Sequence, residues 1–420
     1  MKPFRNKLLA TAVLSVMASA ALVACGGGSS GTPAASTAST PATGTPATGT
    51  TPATNTPAAG STPVASVSAD PISVASGAVA TAAGATLIAG ASSDEEVYNL
   101  AADIGDTWQL ILNNKTNTYI MRVLNSQYGL TSTTSAGFTK TTVGSITTIS
   151  GTTGSALSVQ LDTRTKTLAG NATVGSKKAT VSGSGYNVTD TKLLAGNYGF
   201  VGSVRNVSNG QFRDNPVGSF IVAANGVDIT VCDKGIVVNN ACAAVPNSGA
   251  QVISSKPLKV SRDSATGVLM LKDGTKDFGV LHVSAGDRGP VLIIDRFGLN
   301  DDNVLRAGVI FAAKPAKLAG TEFNGTFNCS VNGIDSAIAV VTGNTYTVKD
   351  AQRNTNNTGT LQYNKVVSGN GLSAIDLDGA AIAKNVNETL AQASLVLPLS
   401  SSLAVLSRGD GTLDICRRAS

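Results

Sequence analysis

Catalysis and metal binding need a few residue types within reach of one another, and this chain is sparing with them. It holds one histidine, His282, which excludes multi-histidine metal sites and leaves one imidazole as a candidate base. Asp287 and Asp295 are candidates to orient it in a Ser-His-Asp arrangement, whose members need not be adjacent in sequence. No serine stands out as the nucleophile, and a satisfied sheet histidine is the plainer reading. Asp376 and Asp378 stand at i and i+2, so a strand places both on one face, where paired carboxylates bind cations or cleave glycosides. Asp378-Gly379 nevertheless reads as a solvated turn. The acidic loop Asn300-Asp301-Asp302-Asn303 lacks calcium-loop spacing. The stretch from Asn354 to Gly359 reads as a turn, and Arg417-Arg418 as solvated. Gly27-Gly28-Ser29-Ser30-Gly31 fits the G-x-S-x-G elbow string of hydrolases, which needs a strand before it and a helix after it. The surrounding sequence provides neither. These residues predict no catalytic, metal or cofactor site.

The elements that must position these groups are strands. The 420 residues include 45 glycines and only four glutamates (Glu95, Glu96, Glu322, Glu388), too few strong helix formers for a bundle. At 42% hydrophobic and 14% charged, the length suits two or three folded domains. His282 lies in the second strand of the clearest hairpin, 268–271 and 278–283, with Asp273-Gly274 at the turn. A strand there puts Phe278, Val280 and His282 on one face. Val291 to Ile294 is continuously apolar and reads as a strand buried on both faces. Trp108, Leu110 and Leu112 alternate, as do Tyr119, Met121 and Val123, about a turn at 113–115. One short helix is expected near 93–104. Ser93 and Glu96 have capping-box spacing, and Val97, Leu100, Ala101 and Ile104 form an apolar stripe.

An internal repeat adds a plan. Leu194-Ala195-Gly196-Asn197-Tyr198-Gly199-Phe200 resembles Leu318-Ala319-Gly320-Thr321-Glu322-Phe323-Asn324. Strand–turn–strand segments at 159–168, 260–269 and 348–361 correspond, and Ile293–Arg296 corresponds to Val405–Arg408. The predicted fold is therefore all-β: tandem antiparallel barrels or sandwiches over 66–192, 193–315 and 316–420.

The front of the chain reads as an address. Lys2, Arg5 and Lys7 precede an apolar run from Leu8 to Val23, the pattern of a signal peptide over 1–24. Leu22-Val23-Ala24-Cys25 resembles the lipobox of bacterial lipoproteins. The resemblance covers about 25 residues. It implies a diacylglycerol thioether on Cys25, cleavage before it and a third acyl chain, such as palmitate, on the new terminus. Each buried methylene of such chains contributes about 0.8 kcal/mol of membrane affinity. Gly26, where the inner-membrane retention pattern has Asp, implies an outer-membrane destination. Without residues 1–24 the charge falls from +5 to +2, and no Lys or Arg lies between Cys25 and Asn114, so nothing suggests a nucleic-acid patch. Residues 25–65 are a Thr/Pro/Ala/Ser/Gly linker, with Thr-Pro-Ala-Thr recurring, that has nothing to bury.

Four further cysteines in an exported chain suggest two disulfides. Of three connectivities, Cys232–Cys242 and Cys329–Cys416 are preferred, the second joining the first and last strands of the third unit. A zinc site is disfavoured because no C-x-x-C pair exists. The functional expectation is a non-enzymatic cell-envelope lipoprotein, on the periplasmic or surface side, displaying β domains for binding or a structural role. Its partners would be the membrane and a protein, glycan or small molecule. The alternatives are a small-ligand carrier with a barrel cavity lined by Trp108, Tyr119 or Phe200, and a periplasmic hydrolase using His282 or Asp376 and Asp378.

Overall fold

The computed structural model describes residues 70–419, apart from 154–155, 211, 234, 245–253, 300–302, 332–333, 352–354 and 368–373. The signal segment, Cys25, the linker, most of the loop at 300–303 and Asn354 fall outside the described residues. Residues Ser66–Ser420 form one compact unit.

That unit is three closed antiparallel barrels of eight strands each. The first runs from 95 to 184 and the third from 325 to 418, each with neighbouring strands consecutive in sequence. The second, 196–313, closes where Gly196–Asn206 pairs with Leu305–Ala313, and Phe212–Asp214 adds a short strand beside Gly196–Asn206. A hairpin of Gly235–Val238 and Ala241–Ala244 is inserted between two of its strands. Among the described residues, closure leaves no long unpaired edge, the standing hazard of β structure.

The segment expected to be helical is the strand Glu95–Ala102. Its alternate residues Tyr98, Leu100 and Ala102 point into the first barrel, while Ala101 joins a core shared with the other barrels. Burial on both faces produces an apolar spacing that imitates a helix stripe. No capping box forms. Glu96 instead accepts hydrogen bonds from Tyr98, Asn114 and Lys140. The α-helix among the described residues is Pro71–Ala82. Asp70 caps it, accepting from the Ile72 and Ser73 amides, and Pro71 occupies the first turn, where its missing N–H costs nothing. Ala80 and Ala83 pack into the core of the second barrel.

The hairpin holding His282 is Leu269–Asp273 with Lys276–Gly286, turning at Gly274, whose φ is +59°. Phe278 is the exception to the expected face. Leu271 pairs with Gly279 and Lys272 with Asp277, so Phe278 is the extra residue of a bulge. It packs into the second barrel's interior, whereas Val280 faces outward toward Leu124 of the first.

Val291 to Ile294 is buried on both faces. Leu292 and Ile294 enter the second barrel, and Val291 and Ile293 meet Ile382, Leu395 and Val405 of the third. The two resembling segments at 194–200 and 318–324 each lead into the first strand of a barrel. Residues 293–296 and 405–408 both fall on seventh strands. The three hairpin correspondences do not share a position. They fall on strands six and seven, four and five, and three and four of their barrels.

Candidate ligand-binding site

An eight-stranded barrel has an interior just wide enough to be filled by side chains or to hold one small ligand, so the inward residues decide which. In the first barrel they are large: Trp108, Leu110, Leu112, Tyr119, Met121 and Phe138 fill the lumen. The second is filled by Tyr198, Phe200, Phe220 and branched aliphatics, with Tyr198 and Phe220 stacked at 5.2 Å. The third presents Ala337, Ala339, Ala383 and Ala404, and leaves a cavity of about 220 Å³.

Register shows how the sequence builds that cavity. Val341 stands opposite Tyr346, which stands opposite Gly359, and Leu361 opposite Ala383. A Cβ at Gly359 would lie 2.4 Å from the Tyr346 ring, so the ring lies flush with the wall only because residue 359 is glycine. One end is closed by aromatics. Phe323 stacks on Tyr363 at 6.0 Å, and the Tyr363 hydroxyl donates to the Gly343 carbonyl at 2.6 Å. The opposite strand ends carry the polar lining: Asp350, Asn385, Glu388, Ser394, Arg408 and Asp414. All but Asp414 are half-buried, which marks this end as the mouth.

The mouth is internally bonded. The Tyr346 hydroxyl donates to Asn385 Oδ1 at 2.9 Å, and Asn385 donates through Nδ2 and its main-chain N–H to the two Glu388 oxygens at 2.6 and 2.9 Å. Burial, and secondarily the Glu388 charge, push the Tyr346 hydroxyl up to about 12. Arg408 Nε donates to Asp414 Oδ2 at 2.7 Å, and Ser336 to Oδ1 at 3.3 Å. Burial still raises Asp414, against the lowering by Arg408. The structure joins Cys329 to Cys416 across paired first and last strands, lining the same lumen, and joins Cys232 to Cys242 at the inserted hairpin.

The other sequence candidates do not assemble into sites. The expected cavity liners Trp108, Tyr119 and Phe200 belong to the other two barrels, where they are part of the packed core. His282 is buried between the first and second barrels, and its Nε2 has no hydrogen-bond partner among the described residues. Burial holds its pKa down to about 4, so it is neutral. Asp295 instead accepts from the Thr107 hydroxyl of the first barrel at 2.6 Å, and Asp287 accepts from the Ser401 amide at 2.7 Å. Asp376 and Asp378 are exposed and lie within the strand Ala374–Asn385 rather than in a turn, because the bulge opposite Asn364 absorbs the local bend. Asp376 pairs with Lys365. Arg417 is not solvated. It is 1% exposed and donates to Gln160 of the first barrel and to Ser330, because the outer faces of these barrels are pressed together.

No signal in single residues marked the third lumen. The available one was the run of alanine and glycine at alternate positions of adjacent strands, which has meaning only once register is known. No protein-family model matches the chain, and no curated protein is similar to it. Among solved structures, that of intact Ap-TbpB, with its N and C lobes, is similar over 75% of this chain, at 9% identity and a TM-score of 0.15. The chain spans 66% of that one's length. A likeness at this level carries no argument about function.

Proposed function

We propose that the mature chain is a non-enzymatic binding protein of the bacterial cell envelope, lipid-anchored at Cys25, whose third barrel holds a small, mainly apolar ligand. The contrast among the three lumens carries this reading: two are lined by large inward side chains, and the third, lined by alanines, holds a well of about 220 Å³ with an apolar wall and a polar mouth. That combination is the general form of a small-molecule pocket. The lipobox resemblance, the signal pattern and the Thr/Pro/Ala linker of the first 65 residues support anchoring and display at the outer membrane.

Two measurements test the two halves. Propylbenzene, titrated calorimetrically, is expected to bind the wild-type protein and to lose at least tenfold in affinity in Ala383→Phe, which fills the well. Circular dichroism would establish that the variant is folded. Absence of binding to the wild type by propylbenzene and by its charged analogues of the same shape overturns the ligand-binding reading. Mass analysis of the protein from membranes is expected to find a triacylated Cys25 as the first residue, and a free thiol there overturns the anchor.

A further inference from the structure

Resting on the reading that the third barrel binds a small molecule, we infer that its ligand is a compact aromatic or alicyclic amine, with its ring in the alanine-lined well and its ammonium at the mouth beside Glu388 and the Tyr346 ring. Size sets the body. A dry apolar cavity of about 150 Å³ accepts benzene, so about 220 Å³ accommodates one substituted ring or a small fused pair. The closed aromatic end excludes a long acyl chain from threading through.

Charge sets the head group. Among the described residues, three carboxylates and one guanidinium line the cavity. The guanidinium, Arg408, is bonded to Asp414 and does not present itself to an incoming anion. Lys384 alternates outward between inward-facing Ala383 and Asn385, and its ammonium is bonded to the Glu388 main-chain oxygen at 3.0 Å. Glu388 is fixed by Asn385, and each of its oxygens keeps a further lone pair for a donor from the ligand. The same Asn385 ties down Tyr346, whose ring face attracts a cation. An anionic head would meet like charge as it loses water. A protonated amine gains a carboxylate and a ring face.

The test compares three probes of one shape by calorimetry at neutral pH and low salt: phenethylamine, propylbenzene and 3-phenylpropionate. Phenethylamine is expected to bind about tenfold or more tightly than propylbenzene, as a charged hydrogen bond implies, and 3-phenylpropionate more weakly than either. Glu388→Gln is expected to remove most of the amine's advantage over propylbenzene measured on the same variant. Propylbenzene binding as tightly as the amine, or an amine affinity indifferent to Glu388→Gln, overturns this inference and leaves the binding reading standing. Failure of all three probes to bind overturns both.

Discussion

His282 and Asp295 lie on the outer face of the second barrel, pressed against the first, where burial lowers the pKa of the imidazole and raises that of the carboxyl. Their effects on stability run in opposite senses. The folded pKa of His282 is about 4, below the free value of 6.5. Its stabilising contribution is therefore complete above pH 6.5 and lost as pH falls toward 4, by about 3 kcal/mol in all. Denaturant titrations across that window are expected to show this loss in the wild type and a flatter profile in His282→Leu. Asp295 is raised well above the carboxylate range, first by burial and then by the nearby Asp106 and Asp103 charges. It favours the folded state at low pH, an advantage that fades as pH rises above its free value, and Asp295→Asn is expected to remove that slope. Asp162, fully buried, takes two bonds from the Arg164 guanidinium, one from the Arg164 main-chain N–H and one from Ser402 of the third barrel. Asp162→Ala leaves the Arg164 charge buried and uncompensated, an expected loss of about 3–5 kcal/mol, measurable by chemical denaturation. None of these environments was legible beforehand. A side chain's partners across a barrel-to-barrel contact lie more than a hundred residues away in sequence, as Thr107 and Asp295 do.

Among elements, the hairpin at 269–286 was readable because its turn chemistry and alternation are local. The strand Glu95–Ala102 was not, because its apolar residues answer to two different cores. The helix Pro71–Ala82 had a local signal in Asp70-Pro71, a cap followed by a first-turn proline, that composition obscured in an Ala/Ser/Val-rich stretch. The disulfides act at this scale as well. Cys329–Cys416 spans 87 residues and closes the third barrel's end strands, whereas Cys232–Cys242 spans 10 and staples a hairpin. Loop-closure entropy gives upper bounds of about 4–5 and about 2–3 kcal/mol. Replacing the first pair by serine is expected to lower the unfolding midpoint more than replacing the second. Equal effects would show that chain constraint is not what the longer bridge contributes.

For the whole molecule, the barrels are not beads on a string. Val201, Val291, Ile293, Val309 and Phe311 of the second share one core with Ile382, Leu397, Val405 and Ile415 of the third, and Ser203 and Ser407 donate across the same contact. A chain ending at residue 315 would expose that apolar face, and size-exclusion chromatography is expected to find it aggregated. A monodisperse, folded fragment would show that the barrels are independent. The β class is legible in the sequence, and the lipobox motivates the proposed anchor. These follow from nearest-neighbour facts: alternation, turn residues and motif order along the chain. The fold itself shows closed barrels, a well in the alanine-lined third lumen, and Arg417 and His282 buried. Whether a lumen is empty depends on side-chain volume summed across eight strands in register. Whether an outer face is wet depends on the next barrel.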